Sequence, residues 1–212
     1  MDLLPGFTLA LQRLSRLGTP DAVSGDRIRL NDGASVALRG ALPDDAEAIQ
    51  DMVRHLSDHS RYQRFFNPLR ELEPSLLARF ARSDPRGHMT LLAATNEDGA
   101  ERIVAMAQYV ADADSDTADF AIVVSDDWQG RGLARRMLRR LICVARAAGL
   151  QRLRGEVLST NRPMRHLMRA LGFDLLRHED GPGLVRVERQ IAVTEWRCSG
   201  STGWRQPAGN TM

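Results

Sequence analysis

The fold is decided by the run Phe120-Ala121-Ile122-Val123-Val124 and, shortly after it, the run Gln129-Gly130-Arg131-Gly132-Leu133-Ala134. The first run is apolar throughout, which is typical of a strand buried on both faces. The second is a glycine-rich turn that opens a periodic helix. Such a turn leaves backbone N–H groups unpaired at the positive end of the helix dipole. This strand–turn–helix unit therefore predicts a binding site for a phosphate or pyrophosphate.

The helix after the turn has its apolar residues at helical spacing, and Gly149 is placed to end it. An earlier helix follows Pro43, with an apolar stripe from Ile49 to Leu56, and a second helical piece covers residues 75–81. Asn31-Asp32-Gly33 predicts a hairpin turn. Strands are predicted at residues 89–95, 103–110, 120–124, 153–158 and 184–196, with a helix from Pro163 and a strand from Phe173. This order predicts an α/β sheet in one layer with helices packed on it.

The composition bounds the class of protein. The chain has 212 residues, and its 29 basic and 27 acidic residues give a net charge of +2, a balance that does not indicate a nucleic-acid binder. No apolar run is long enough to cross a membrane, and the N-terminus is a poor signal peptide. Cys143 and Cys198 lack metal or redox spacing. We therefore expect a cytoplasmic protein with no metal, no membrane partner and no nucleic-acid partner, with Cys143 packed inside its helix.

Residues 129–135 can be matched to three known kinds of phosphate-binding turn. The P-loop needs a lysine, and the chain contains none. The dinucleotide fingerprint needs a third small residue where Arg135 stands. Gln129-x-x-Gly132-x-Ala134 instead resembles the Gln/Arg-x-x-Gly-x-Gly/Ala turn of the GNAT superfamily of acyl-CoA N-acyltransferases. The family's closing segment, Asn-x-x-Ala/Met … Leu-Gly-Phe, is matched by Asn161, Met164, Leu171, Gly172 and Phe173.

A narrower resemblance lies in the first part of the chain. Asp32-Gly33 … Arg39 and the segment from Leu56 to Phe66, with Ser60-Arg61-Tyr62-Gln63-Arg64-Phe65-Phe66, are similar to the opening of bacterial Pat-like protein lysine acetyltransferases. The resemblance implies a single GNAT-type α/β (α+β) domain over residues 26–198. Its sheet would be mixed and mostly antiparallel, flanked by helices, with strands splayed at the coenzyme site. Residues 1–25 would form an N-terminal arm and residues 199–212 a disordered tail.

The resemblance also implies a coenzyme site. Backbone amides from Arg131 to Arg135 would hold the pyrophosphate of coenzyme A. Val123 and Val124 would offer backbone groups to the pantetheine arm, which binds like an added strand. Asn161 would either hydrogen-bond the pantetheine or cap the helix that follows. The predicted cofactor-binding residues are Val123, Val124, Gln129, Gly130, Arg131, Gly132, Leu133, Ala134, Arg135 and Asn161.

The catalytic residues implied are Asp119 and Val124. Asp119 stands where the family often has a glutamate and would act as the base through a water, although a solvent-exposed aspartate at a loop end fits equally. The N–H of Val124 would stabilise the oxyanion. Many members of the family carry a tyrosine near the closing helix that can protonate the departing thiolate, and that position falls on Met168, which cannot donate a proton. The cationic helix face, Arg135 to Arg146, is either solvated or binds the coenzyme's 3′-phosphate.

The resemblance implies an enzyme that moves an acetyl group from acetyl-CoA to a primary amine by direct attack in a ternary complex. Three readings stay open: a protein lysine as acceptor; a small amine such as an amino-sugar, polyamine or antibiotic; or a coenzyme-binding sensor module with little catalysis. A homodimer is also possible.

Overall fold

The computed structural model of the chain describes residues 26–97, 99–179, 181–192 and 198. The predicted N-terminal arm (1–25) and C-terminal tail (199–212) lie outside the described residues. Within the described ranges, eight strands form one sheet in the order β1-β2-β3-β4-β5-β6-β8-β7. The strands are β1 (Asp26–Arg29), β2 (Ser35–Gly40), β3 (His88–Glu97), β4 (Ala100–Ala111), β5 (Thr117–Val124), β6 (Arg152–Leu158), β7 (Asp174–Arg177) and β8 (Leu184–Gln190).

Every neighbouring pair in this sheet is antiparallel except β5 and β6, which are parallel. The predicted α/β (α+β) domain with a mixed, mostly antiparallel sheet is therefore confirmed. The hairpin predicted at Asn31-Asp32-Gly33 is confirmed as well, because β1 and β2 pair across that turn and Gly33 has a φ of +89°. The end of the predicted last strand, residues 193–196, lies outside the described residues.

The helices flank the sheet. They are α1 (Ala46–His55), α2 (Asp58–Phe65), α3 (Pro74–Phe80), α4 (Leu133–Ala147) and α5 (Arg162–Ala170), with 3-10 turns at Pro43–Asp45 and Asp126–Trp128. The sequence did not predict α2, whose residues are mostly polar. A capping hydrogen bond begins this helix, since the Ser60 amide donates to Ser57 Oγ over 3.2 Å. No helix in the described part of the chain combines the length and the apolarity needed to cross a membrane.

Two apolar clusters lie on opposite faces of the sheet, because successive strand residues point to opposite sides. One cluster joins α4 to the face that contains Tyr109, through Leu138, Leu141 and Ile142. The other joins α1 to the face that contains Met106. This packing fixes α4, and with it the glycine turn at its N-terminus, against the middle of the sheet.

The sheet opens between β5 and β6. The two strands pair only at Thr117–Arg152, Ala118–Leu153 and Asp119–Arg154, and beyond Asp119 they no longer pair. Gly155 lies directly after the last pair, and a Cβ there would be 3.0 Å from the carbonyl oxygen of Phe120. The absence of a side chain at Gly155 therefore permits the two strands to lie this close at the point where their pairing ends. The predicted splay is confirmed.

Cys143 of α4 and Cys198 form a disulfide with a Cα–Cα distance of 5.7 Å. The expectation that Cys143 simply packs within its helix is therefore corrected. A separation of 55 residues along the chain gave no sign that the two sulfur atoms would meet.

A buried ion pair joins β2 to the start of α1. Asp45 accepts two hydrogen bonds of 2.6 Å from Arg39 and one of 2.7 Å from the Leu42 amide, while Arg39 also contacts Glu101. Burial raises the pKa of Asp45, but the bonds from Arg39 and Leu42 outweigh it and hold that pKa below the ordinary value. The carboxylate therefore stabilises the fold above the ordinary Asp pKa of about 3.9, and this stability is lost as the pH falls through the lower folded-state pKa.

We expect Asp45→Asn to lower the free energy of unfolding by about 2 kcal/mol at pH 7, since Glu101 still partly compensates Arg39. The difference from wild type should shrink at pH values below about 3.9. Urea unfolding over a pH series measures the loss of unfolding free energy at pH 7 and its decrease at low pH. Asp44→Asn, an exposed change in the same 3-10 turn, is the control and should change stability by less than about 0.5 kcal/mol. Equal losses in the two variants would contradict a special role for the pair.

Candidate functional site

The glycine turn leads from the 3-10 turn Asp126–Trp128 into α4 with two residues in the left-handed region. Gly130 has a φ of +74° and Gly132 a φ of +85°. Among the described residues, none of the amides from Gly130 to Arg135 donates to a carbonyl, and the first that does is Arg136, to Gly132 over 3.4 Å. The turn thus presents a continuous row of unpaired N–H groups at a helix N-terminus, which is an anion site.

Neighbouring side chains fix the shape of this turn. Trp128 is buried beneath it, and the Arg131 guanidinium stacks 4.8 Å from the Trp128 ring centroid. Arg131 also donates to the Asp127 carbonyl over 2.6 Å and pairs with Asp32 at 3.1 Å. The Arg131 side chain is therefore held by the protein itself, so its predicted role in binding falls to its backbone amide.

A hydrogen-bond network links the turn to α2. Gln129 Nε2 donates to the Val124 carbonyl and to Ser60 Oγ, each over 3.1 Å. Asp126 accepts from Ser60 Oγ at 2.7 Å and from both the amide and the hydroxyl of Ser57. Burial raises the pKa of Asp126, yet these donors outweigh it and lower the pKa overall. The Gln129 side chain thus connects the end of β5, the turn and α2.

Strand β5 presents alternate backbone groups to the gap. The Ser125 amide donates to Val104 and the Thr117 carbonyl accepts from Asp112, so odd-numbered residues face β4. With the period of two along a strand, the backbone groups of Ile122 and Val124 face the gap beside β6, whereas those of Val123 face β4. The sequence predictions included Val124 and missed Ile122, although this alternation along the strand could have indicated it.

Asp119 lies at the last paired position of β5. Its side chain is 56% exposed, and its two oxygens accept from Arg154, at 2.6 Å from Nε and 3.1 Å from the second nitrogen. Arg154 also pairs with Asp112 at 3.2 Å. The bond to Asp119 is the main cause of a raised Arg154 pKa, which burial partly opposes. Asp119 is therefore an oriented carboxylate, and Arg154 is a neighbour that sequence reasoning missed.

A cavity of about 750 Å³ opens at the gap. Its described wall contains Asp119 and Asn161 but no residue of the glycine turn, and neither Val123 nor Val124. The other lining residues are Gln63, Arg64, Phe65, Phe66, Leu76, Phe80, His88, Gln108, Val110, Phe120, Ala121, Ile122, Arg154, Gly155, Glu156, Val157, Met164 and Arg186. The cavity therefore joins the predicted base to the end of α2, and its wall does not include the turn.

The residue that caps α5 and one residue within that helix have structural roles. Asn161 Oδ1 accepts from the Met164 amide over 3.1 Å, so it caps α5 while also lining the cavity. Met168 is fully buried in the core. The position that holds tyrosine in the similar family therefore contributes no proton donor to the cavity.

Comparisons with known proteins agree with this geometry. The model of the acetyltransferase (GNAT) family matches residues 50–173. An acetyltransferase of Pseudomonas aeruginosa is 34% identical over 165 residues, which are 77% of this chain and 89% of that protein. Acetyltransferase Pat of Mycolicibacterium smegmatis is 28% identical over 87% of this chain, which spans 55% of Pat. The crystal structure of the GNAT domain of S. lividans PAT has a TM-score of 0.71 and 30% identity, covering 81% of this chain and 99% of that one.

Proposed function

We propose, because the chain belongs to the acetyltransferase (GNAT) family, that it transfers the acetyl group of acetyl-CoA to the side-chain amine of a protein lysine. The observation that supports this most is the row of unpaired amides from Gly130 to Arg135 beside the open gap between β5 and β6. The row of amides fits a pyrophosphate and the gap fits an extended pantetheine arm, and coenzyme A contains both groups.

The residues present fit the coenzyme. The amides of Gly130, Arg131, Gly132, Leu133, Ala134 and Arg135 would hold the pyrophosphate. The backbone of Ile122 and Val124 would pair with the pantetheine arm as a neighbouring strand does. The Arg135 side chain is exposed at the start of α4, where it would neutralise the 3′-phosphate. Gln129 would act by holding Val124, and Asn161 by capping α5 at the cavity.

The acceptor amine must lose a proton to attack. A lysine amine, with a pKa of about 10.4, needs roughly 4.6 kcal/mol to be deprotonated at pH 7. Asp119 would take that proton through a water, because each of its oxygens keeps a lone pair beyond its bond to Arg154. The amine would attack the thioester directly in a ternary complex, with the Val124 N–H facing the developing oxyanion. The thiolate, with a reference pKa of about 8.5, would leave without a side-chain donor.

A protein lysine is supported by the Pat-like pattern from Leu56 to Phe66 and by the likeness to the S. lividans PAT domain. A small amine is the second candidate, because the cavity is walled by aromatic side chains from α2 and α3 and is not a flat acidic groove. The cytoplasmic location and the homodimer stay predictions.

The test is acetyl transfer by the full chain, followed as thiol release from acetyl-CoA and by mass spectrometry of the acceptor. Lysine-containing proteins and peptides form one arm, and amino-sugars, polyamines and aminoglycosides form the other. We expect transfer to the lysine arm. Transfer confined to small amines would show that the acceptor is a small amine and not a protein lysine. Coenzyme binding without transfer to any amine would overturn the proposal.

A further inference from the structure

Arg64, in the last turn of α2, has a charge that the described protein does not neutralise. Its guanidinium lines the cavity and donates one hydrogen bond of 2.6 Å, to the neutral side-chain oxygen of Gln108. Its Nε is buried without a hydrogen-bond partner among the described residues. The rings of Phe65 and Phe80 lie 4.8 Å and 5.7 Å from the guanidinium carbon. Arg64 is thus a cation that lies between two aromatic rings and whose Nε has no hydrogen-bond partner among the described residues.

The acidic residues of the cavity do not compensate this charge. Asp119 is engaged by Arg154, and Glu156 lies 3.0 Å from His178. Burial lowers the pKa of Arg64 to about 10, so the guanidinium is still protonated at neutral pH. A half-buried charge without a counterion among the described residues costs stability, and a bound anion would supply that counterion.

The Arg64 guanidinium is held in place by Gln108 of the central strand β4. Gln108 is buried and donates from Nε2 to Thr90 Oγ1 over 3.1 Å, which directs its oxygen at Arg64. Gln108 pairs with Ala121 in the register of β4 and β5, and Asp119 is the next residue of β5 on the same face. The guanidinium and the proposed base therefore lie on one face of the sheet, with the small side chain of Ala121 between them.

We propose that Arg64 binds a carboxylate of the amine acceptor and so selects acceptors that contain one. This inference rests on the proposed function, because it names the acceptor chemistry of the same site. The terminal N–H groups that the bond to Gln108 leaves free would form charge-assisted bonds with a carboxylate. The two phenyl rings would contact the apolar part of the same ligand. The carboxylate is either that of a free amino acid or that of an acidic side chain beside the reactive lysine.

The test measures binding, so that it does not depend on turnover. Calorimetry on the full chain with coenzyme A bound compares matched acetylated probes that differ only in charge. One arm compares N-acetyl-phenylalanine, which has a free carboxylate, with N-acetyl-phenylalanine amide, which has none. The other pairs acetyl-lysine peptides flanked by glutamate with peptides flanked by glutamine. Wild type should bind the carboxylate member of one arm about 10-fold more tightly, and the responding arm identifies the source of the carboxylate.

In Arg64→Met the two members of each pair should bind equally. Arg177→Met, an exposed change on β7, is the control and should keep the wild-type preference. Circular dichroism and the melting temperature show whether Arg64→Met is folded, and Arg64→Lys should keep part of the preference. Equal binding of both members by wild type, or a preference that survives in Arg64→Met, would overturn the inference. Absence of acetyl transfer to any amine would instead refute the proposed function.

Discussion

Gly132→Glu is expected to weaken acetyl-CoA binding by about 1,000-fold or more, the largest effect of any change considered. Gly132 has a φ of +85°, and a Cβ there would lie 3.0 Å from Asn31 Nδ2. The new carboxylate would also repel the pyrophosphate that the turn amides are proposed to hold. Loss of two charge-assisted hydrogen bonds, at about 2 kcal/mol each, corresponds to roughly 1,000-fold. Calorimetric titration with acetyl-CoA measures the change.

Gly149→Glu is the matched control at the other end of α4. Gly149 also has a positive φ, +93°, and a Cβ there meets no atom within 4 Å. This variant pays a similar backbone cost, about 1–2 kcal/mol of stability, but leaves the turn unchanged. It should therefore bind acetyl-CoA as wild type does. Equal losses of affinity in the two variants would mean that the weakening comes from damage to the helix, and retained affinity in Gly132→Glu would remove the turn from the coenzyme site.

The parts of this fold with strong periodicity could be predicted from the sequence. The continuous apolar run of β5 indicates a strand buried on both faces, and the apolar stripe of α4 follows a period of 3.6. Burial of Leu133, Met137 and Leu141 matches the second pattern. The glycine turn between them was predicted by its residue types alone, because positive φ values at two positions need glycine.

Helix α2 could not be predicted by the same means. It has few apolar residues, and what fixes it is Ser57, which caps the helix and donates to Asp126 far along the chain. That contact depends on the folded position of the 3-10 turn, which no local pattern encodes. Because α2 was missed, the sequence also gave no sign that Arg64 would line a cavity at the end of a helix.

The site shows the same limit. Asp119 was predicted as a candidate base from a resemblance. Its partner Arg154 lies on the neighbouring strand and was not predicted. Parallel pairing of β5 with β6 places the two residues side by side. Which backbone groups of β5 face the gap also follows from pairing with β4, and this separates Val124 from Val123. Residue types indicated which chemistry the site could perform. Strand register decides which side-chain and backbone atoms face the gap.

Asp119→Asn is expected to lower kcat for acetyl transfer by about 100- to 1,000-fold at pH 7, the range typical of a lost general base. Asparagine has nearly the same shape and can still accept a bond from Arg154, but it cannot take a proton. The KM for acetyl-CoA should change little, because Asp119 lies outside the glycine turn. Steady-state kinetics with a saturating acceptor measure both constants. Asp114→Asn, an exposed change in the loop before β5, is the control and should leave kcat unaltered.

The pH profile distinguishes a base from a structural carboxylate. If Asp119 removes the proton, the deficit of Asp119→Asn should shrink as the pH rises toward the acceptor's pKa of about 10.4, because more of the amine is then already neutral. If Asp119 only positions Arg154, the deficit should be independent of pH, and Arg154→Met should show one of equal size. An unchanged kcat in Asp119→Asn at pH 7 would leave proton removal to solvent or to another group of the cavity.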